Sequence, residues 1–287
     1  MNELFWAVAL HVFNKIETAH IEAIKTAISP IPEGSQILAG FGKPEIMRKQ
    51  DNIAIIDVNG LMMRNPGFFE QVFMGATDTN AILAAVNAAG NDSGVDKVLL
   101  NINSPGGAVS GTSELGDAVA AVNAVKPVDA YTSDICASAA YWVASQARKI
   151  YANPSAIVGS IGVRMALYDT SKAYEQAGIK AIPIDSGKFK SVGAPGTEIS
   201  AEQIQMFQDI VTEHFGRFAS AVKTGRGMSD NKFKAVEDAQ ILSADKAKSA
   251  GLIDSVATFS DVMKSLLRKP TGRATGSSRA RLELLRN

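Results

Sequence analysis

From Asn52 to Val256, short β-branched apolar runs alternate with longer stretches whose apolar positions recur at helical spacing. "NIAIIDVNG" predicts a strand that Gly60 ends, and "TDTNAILAAVNAA" a helix capped by Thr79. "VDKVLLNIN" has the composition of a buried strand, and "SPGG" breaks it abruptly. A helix over Ser110–Val125, a strand at "VDAYTSD" and a helix over Ala139–Gln146 follow, then short strands at "KIYANP" and "SAIVGSIGV". Beyond these, the pattern predicts a helix over Asp169–Gln176, a strand at "KAIPIDSG" and a loop over Lys188–Gly196. Ser200-Ala201-Glu202-Gln203 has the form of a capping box. It opens a long helix with Ile204, Phe207, Val211, Phe215, Phe218 and Val222 on one face. A last short helix, Ala244–Ala250, lies between Ser243 and Gly251, the usual cap pair.

Strand–helix alternation of this kind predicts an α/β fold with helices packed on a largely parallel sheet. Before it, residues 2–28 carry apolar positions at helical spacing (Leu4, Ala7, Val8, Val12, Ile16, Ile21, Ile24) until "SPIPEGS" stops the helix. After it, "RKPTGRATGSSRARLELLRN" is basic and rich in small polar residues, which predicts disorder. The chain thus divides into an arm and linker over 1–50, a compact domain over 51–267 and a tail over 268–287. No internal repeat is evident.

Composition changes this picture in a few places. With 46% hydrophobic residues the chain can bury a real core, and 29 basic against 29 acidic residues give no overall field for nucleic acid or an anionic membrane. The balance is local: from Arg268 onward six basic residues face one acidic residue. A single cysteine, Cys136, excludes an internal disulfide and any C-x-x-C site, and reads as a small buried thiol. The apolar run Leu4–Leu10 falls far short of the roughly 20 residues a span needs, and it lacks a basic leader and a cleavage site. The expectation is a cytoplasmic protein with no membrane span, no metal and no cofactor.

Histidines are scarce, and that restricts the chemistry. His11 and His20 lie in the arm, and His214 lies on the long helix. A Ser-His-Asp triad needs a histidine beside the serine, so a serine hydrolase here would draw its base from lysine. Such a base must be neutral, which requires burial and a nearby donor to hold the amine. The pieces of that constellation are present. "NSPGG" (Asn103–Gly107) sits between strand and helix, where adjacent glycines let a substrate carbonyl approach backbone N–H groups. It is equally an ordinary turn. Ser138 in "CASAA" sits among small residues at a helix start, as a nucleophile or as an N-cap. Ser160 in "VGSIGV" is flanked by glycines, as in a bulge, and "SGKFKS" supplies Lys188 and Lys190.

Together and in order, these segments resemble the signal peptide peptidase A (protease IV) family of serine peptidases, on the Clp/crotonase-type fold. "LLNINSPGGAV" is similar to its oxyanion segment, and "ASAAYWVAS" to its nucleophile segment, usually Ala-Ser-Gly-Gly-Tyr-Tyr. "ANPSAIVGSIGV", "SGKFKS" and "ILSADKAKSAGLIDSV" match the segments that follow, so the resemblance runs from about Asn52 to Val256. It implies Ser138 as nucleophile, Lys190 (the last position of its motif) as general base, and Ser160 as the residue that orients the lysine. Gly107, with Gly106 and Ala139, is implied as the oxyanion hole. Ala139 and Ala140 replace the usual glycines, and their methyl groups are expected to narrow the pocket. Within the family the chain looks most like the tailed-phage capsid-assembly proteases, which implies scaffold, portal or capsid proteins as substrates. The resemblance also implies a homo-oligomer in which serine and lysine can come from neighbouring subunits.

Four other readings compete. A Clp-like peptidase would need His214 beside Ser138. A crotonase-type acyl-CoA enzyme would use Gly106 and Gly107 but leave the serine and lysine motifs without a role. A catalytically silent assembly factor would have no need of the Ser138/Lys190 pair, and a general peptide-degrading protease would share the site but not the phage substrates.

Overall fold

A two-residue turn opens the fold. Strand β1 (Met47–Gln50) folds back antiparallel on β2 (Ile53–Met63), with Gln50 facing Ile53, and Asp51 takes a left-handed φ of 54° to close the hairpin. The computed structural model describes residues 45–268. The chain divides after Glu45 into two units, and every element below belongs to the second. The helix expected over residues 2–28 and the tail after Arg268 lie outside the described residues.

The remaining strands are β3 (Thr77–Asp78), β4 (Lys97–Gly107), β5 (Val128–Ala137), β6 (Lys149–Ala152), β7 (Ile157–Gly159), β8 (Ile241–Ser243) and β9 (Ser255–Val256). They form one sheet with the path β1-β2-β4-β5-β6-β9. β3 pairs with β2, while β7 joins β5 to β8. Only β1/β2 and β7/β8 are antiparallel. The architecture is the mostly parallel α/β sheet with packed helices that the alternation predicts.

Helices α1 (Phe68–Phe73), α2 (Thr79–Asn91), α3 (Thr112–Val125) and α4 (Ala139–Ala144) connect the first strands. After β7 come α5 (Ser171–Gln176), α6 (Ala201–Arg226), α7 (Asp230–Lys234), α8 (Ala244–Ser249) and α9 (Phe259–Leu267). One face of the sheet buries Ile56, Val58, Leu100, Ile102 and Val128 under α2, α3 and α4. The other buries Ile53, Ile55, Leu99 and Tyr131 under Val262, Met263 and Leu266 of α9. Cover on both faces explains why "NIAII" is apolar at consecutive positions instead of alternating.

Several expectations are corrected. The strand from Ile53 does not end at Gly60 but runs through it to Met63, and "SPGG" does not end the next one, which continues through it to Gly107 because Gly106 and Gly107 pair with Leu61 and Met62. The cap of α2 is Asp78, whose carboxylate accepts the Asn80 N–H, while Thr79 is buried as the first helical residue. Ser243 makes no side-chain cap bond, and the helix after it is not the last, because α9 follows. "KAIPIDSG" is not a strand: no ladder reaches it, and Ile182 and Ile184 are 72% and 95% exposed. The capping box is present as expected, with Ser200 and Gln203 exchanging bonds. Of the apolar stripe of α6 only Phe218 and Val222 are buried, and Ile204 is exposed. Among the described residues, no helix is long and apolar enough to cross a membrane.

Candidate active site

Two register breaks bring three strand ends together. Between β2 and β4, Asn59 faces Asn103 but Leu61 faces Gly106, a step of two residues against three. Between β4 and β5, Ile102 faces Thr132 but Ser104 faces Cys136, a step of two against four. The breaks swing "SPGG" against the end of β5. A Cβ added to Gly106, whose φ is 103°, would lie 2.7 Å from Ser138 Cβ and 2.9 Å from Ala139 N. One added to Gly107 would lie 1.9 Å from Met62 O. Both positions therefore require glycine, and the ordinary-turn reading of this segment does not account for the approach to Ser138.

Ser138 occupies the turn between β5 and α4 with φ 52° and ψ −125°. A non-glycine residue in this region costs on the order of 1–3 kcal/mol and persists only when its surroundings hold it. They do hold it: Ser138 N–H donates to Gly159 O at 2.9 Å, and Ser138 O accepts the Trp142 N–H at 2.9 Å. Its hydroxyl makes no cap bond to α4, so the N-cap reading fails. A strained serine on a sharp strand-to-helix turn is how a nucleophile is presented clear of its own backbone. Ala139 N–H, in the first turn of α4, has no intrahelical acceptor.

The next strand repeats the geometry. Ala137 faces Gly159 across β5/β7, so Ser138 and Ser160 follow at the same level on adjacent strands. Ser160 also has a positive φ, 53°, and its N–H donates to Gln240 O at 2.7 Å. Neither serine hydroxyl has a hydrogen-bond partner among the described residues, and both side chains are partly exposed. Two residues beyond Ser160, a cleft of about 280 Å³ opens between Gly162–Val163 and Gln208, Val211 and Phe215 of α6.

Packing beneath Ser138 fixes α4 in place. All six residues of α4 are buried; Trp142 stacks on Phe218 of α6 at 4.8 Å, and Tyr141 donates to Leu252 O at 2.9 Å. Burial pushes the Tyr141 hydroxyl and the Cys136 thiol well above their ordinary pKa values, so neither ionises near neutrality. The methyl groups of Ala139 and Ala140 belong to this core, at 5% and 0% exposure.

Gly106 N–H is held by Ser104 Oγ at 3.1 Å, and Met62 O takes the N–H of Ala108 rather than that of Gly107. Lys190 makes no hydrogen bond to Ser138 or Ser160 among the described residues. It is exposed, and its N–H bonds Gly187 O at 3.0 Å within its own loop. Lys188 pairs with Glu202, and its carbonyl accepts from Gln203 Nε2 at 2.9 Å, so the loop is tied to the start of α6. His214 makes no hydrogen bond to Ser138 or to a carboxylate among the described residues.

A model of the family "Peptidase family S49" matches residues 120–270, just over half of the chain and including Ser138, Ser160 and Lys190. The chain belongs to peptidase family S49. This S49 chain is 31% identical to capsid assembly protease C of Escherichia phage lambda over 79% of its length and 52% of that protein's. It is 28% identical to head-tail preconnector protein GP5 of Enterobacteria phage P21, over 88% of this chain and 50% of that one. A protein of Methanocaldococcus jannaschii that carries a protease name is 37% identical over 61% of this chain and 56% of its own. The chain thus spans about half the length of the curated relatives it matches.

Proposed function

We propose that this S49 protein is a serine endopeptidase whose nucleophile is Ser138 and whose general base is Lys190 of a neighbouring copy. The observation that carries the reading is the Ser138 backbone, held at φ 52° with its hydroxyl unbonded, against a glycine that has no room for a Cβ. A serine that merely capped a helix would need none of this.

In the reaction, Ser138 Oγ attacks the scissile carbonyl carbon as a neutral lysine amine takes its proton. Ser160, level with Ser138, holds that amine. The carbonyl oxygen becomes an oxyanion facing the N–H groups of Gly107 and Ala139. The lysine ammonium then protonates the departing amine, and water repeats the sequence on the acyl-enzyme.

Three features support a lysine from another copy. Lys190 is exposed and bonded only within its loop. That loop is tied to Glu202 and Gln203 at the start of α6, and among the described residues no hydrogen bond joins it to Ser138 or Ser160. Residues 163–169 and 180–185 belong to no helix or strand, and Met165, Tyr168, Ile182 and Ile184 are exposed, as suits segments that a partner covers. Covering them would also desolvate Lys190, which a neutral base requires.

For substrates, similarity to a phage capsid assembly protease and a head-tail preconnector supports proteins of the phage head, such as scaffold, portal or capsid subunits. The archaeal relative favours a second reading, a general peptide-degrading protease with the same site. A serine-directed phosphonate followed by intact mass tests the chemistry. One adduct on the wild type, absent from Ser138→Ala, is expected; an adduct elsewhere, or none, refutes it. Incubation with phage head proteins and with casein separates the two substrate readings.

A further inference from the structure

Strand β4 is out of step with both its neighbours around one residue, Ser104. A register break leaves ladder N–H and C=O groups without partners, and buried ones must find them elsewhere. Ser104 has no exposed surface. Its hydroxyl donates to Gly60 O at 2.6 Å and accepts the N–H of Gly106 at 3.1 Å. Gly60 is the β2 residue skipped by the break, and Gly106 is where pairing resumes. One side chain therefore bridges the interruption and holds the peptide leading into the glycine pair. Gly60 is itself confined, with φ 66° and Gly75 O 1.9 Å from where a Cβ would stand.

We propose that Ser104 is the positioning residue of the oxyanion-stabilising turn, holding Gly106 so that the N–H of Gly107 faces the carbonyl attacked by Ser138. The inference rests on Ser138 being the nucleophile. Being fully buried, Ser104 cannot touch substrate, so any effect on catalysis acts through the turn. Gly106 has no side chain of its own to fix it, and without Ser104 only its pairing with Leu61 on the β2 side still holds it at φ 103°. Oxyanion donors work because they are aimed before charge develops. A loosened turn therefore weakens the transition state more than bound substrate, and the loss falls on kcat rather than KM.

The test uses the full chain carrying Ser104→Ala, Ser104→Cys or Ser104→Thr, with fluorescein-labelled casein as substrate and the phosphonate as a titrant of Ser138. Ser104→Ala should lower kcat by about 10²-fold, the scale of losing one oxyanion donor. KM should stay within about threefold, because substrate binding does not use the turn's developing-charge contacts. The pH profile should keep its shape, since the base is untouched. Ser104→Cys keeps the volume but is a weak hydrogen-bonding group, and should resemble Ser104→Ala with a thermal midpoint closer to wild type. Ser104→Thr keeps the hydroxyl and should recover most of the activity. Full turnover in folded Ser104→Ala or Ser104→Cys overturns the inference, as does activity that follows only the thermal midpoint across the three variants. A wild type that takes no adduct at Ser138 overturns the nucleophile assignment and this inference with it.

Discussion

Two regions of this molecule carry the motif residues, and they are built in opposite ways. Ser138, Ser160, Gly106 and Gly107 sit where parallel strands end over a helix buried on all six residues. Left-handed backbone is held there at four places (Gly106, Ser138, Gly159 and Ser160) by neighbouring amides and carbonyls. Residues 163–207 hold almost entirely to themselves: Gly196 N–H to Thr170, Ser191 to Asp185, Ile199 N–H to Asp169, Lys188 to Glu202. Strain can be stored in the first region because packing over-determines it. The second has exposed isoleucines and backbone outside any helix or strand.

The largest effects should come from the residues that join the two regions chemically. Ser138→Ala and Lys190→Ala should each abolish proteolysis with the thermal midpoint unchanged, because nucleophile and base act as a unit. Lys188→Ala, which removes only an exposed pair with Glu202, should stay active. Casein hydrolysis with matched melting curves reads all three. A dead Lys188→Ala beside a live Lys190→Ala would move the base to the other lysine.

Next in size is the contrast in packing. Phe218→Ala removes the ring that stacks on Trp142 from a fully buried position and should cost about 3–5 kcal/mol in urea unfolding. Ile184→Ser changes a residue 95% exposed, so stability should move by less than about 0.5 kcal/mol. Its effect should appear in light scattering, as a smaller assembly with lower activity. Equal destabilisation by both variants would erase the distinction between the regions.

The smallest effect concerns α6, which belongs to both regions. Ser200→Ala removes its capping box and should cost about 1 kcal/mol of local helix stability. Because the outer half of α6 is exposed, that cost should appear as faster amide exchange near Gln203 with no change in the global unfolding midpoint. A shift in the midpoint would mean that the outer helix is part of the cooperative core.

How far the sequence could be read follows the same division. Where apolar spacing and burial coincide, as in α2 and α3, elements fall close to where the pattern puts them, whereas β4 runs on through "SPGG" to Gly107 and β5 past "VDAYTSD" to Ala137. The strand expected at "KAIPIDSG" failed because alternation at Ile182 and Ile184 signals two faces but cannot supply a partner. Helix α9 carried a readable signal, Thr258 capping Asp261, yet it lies beyond the last motif that drew attention. The site was legible as residue types and order. Its geometry was not: positive φ at Ser138 and Ser160 falls on residues where glycine would be the usual expectation, and no local pattern marks a register break around Ser104.

The central claim is that the base reaches Ser138 from another copy, and subunit mixing tests it most directly. Ser138→Ala and Lys190→Ala chains, each inactive alone, are co-expressed in equal amounts and purified as mixed assemblies. Random assembly should give an intact serine facing an intact lysine at about a quarter of the interfaces, and so about a quarter of wild-type casein hydrolysis. Mixed assemblies that remain inactive, or an active wild-type monomer in light scattering, would contradict the account.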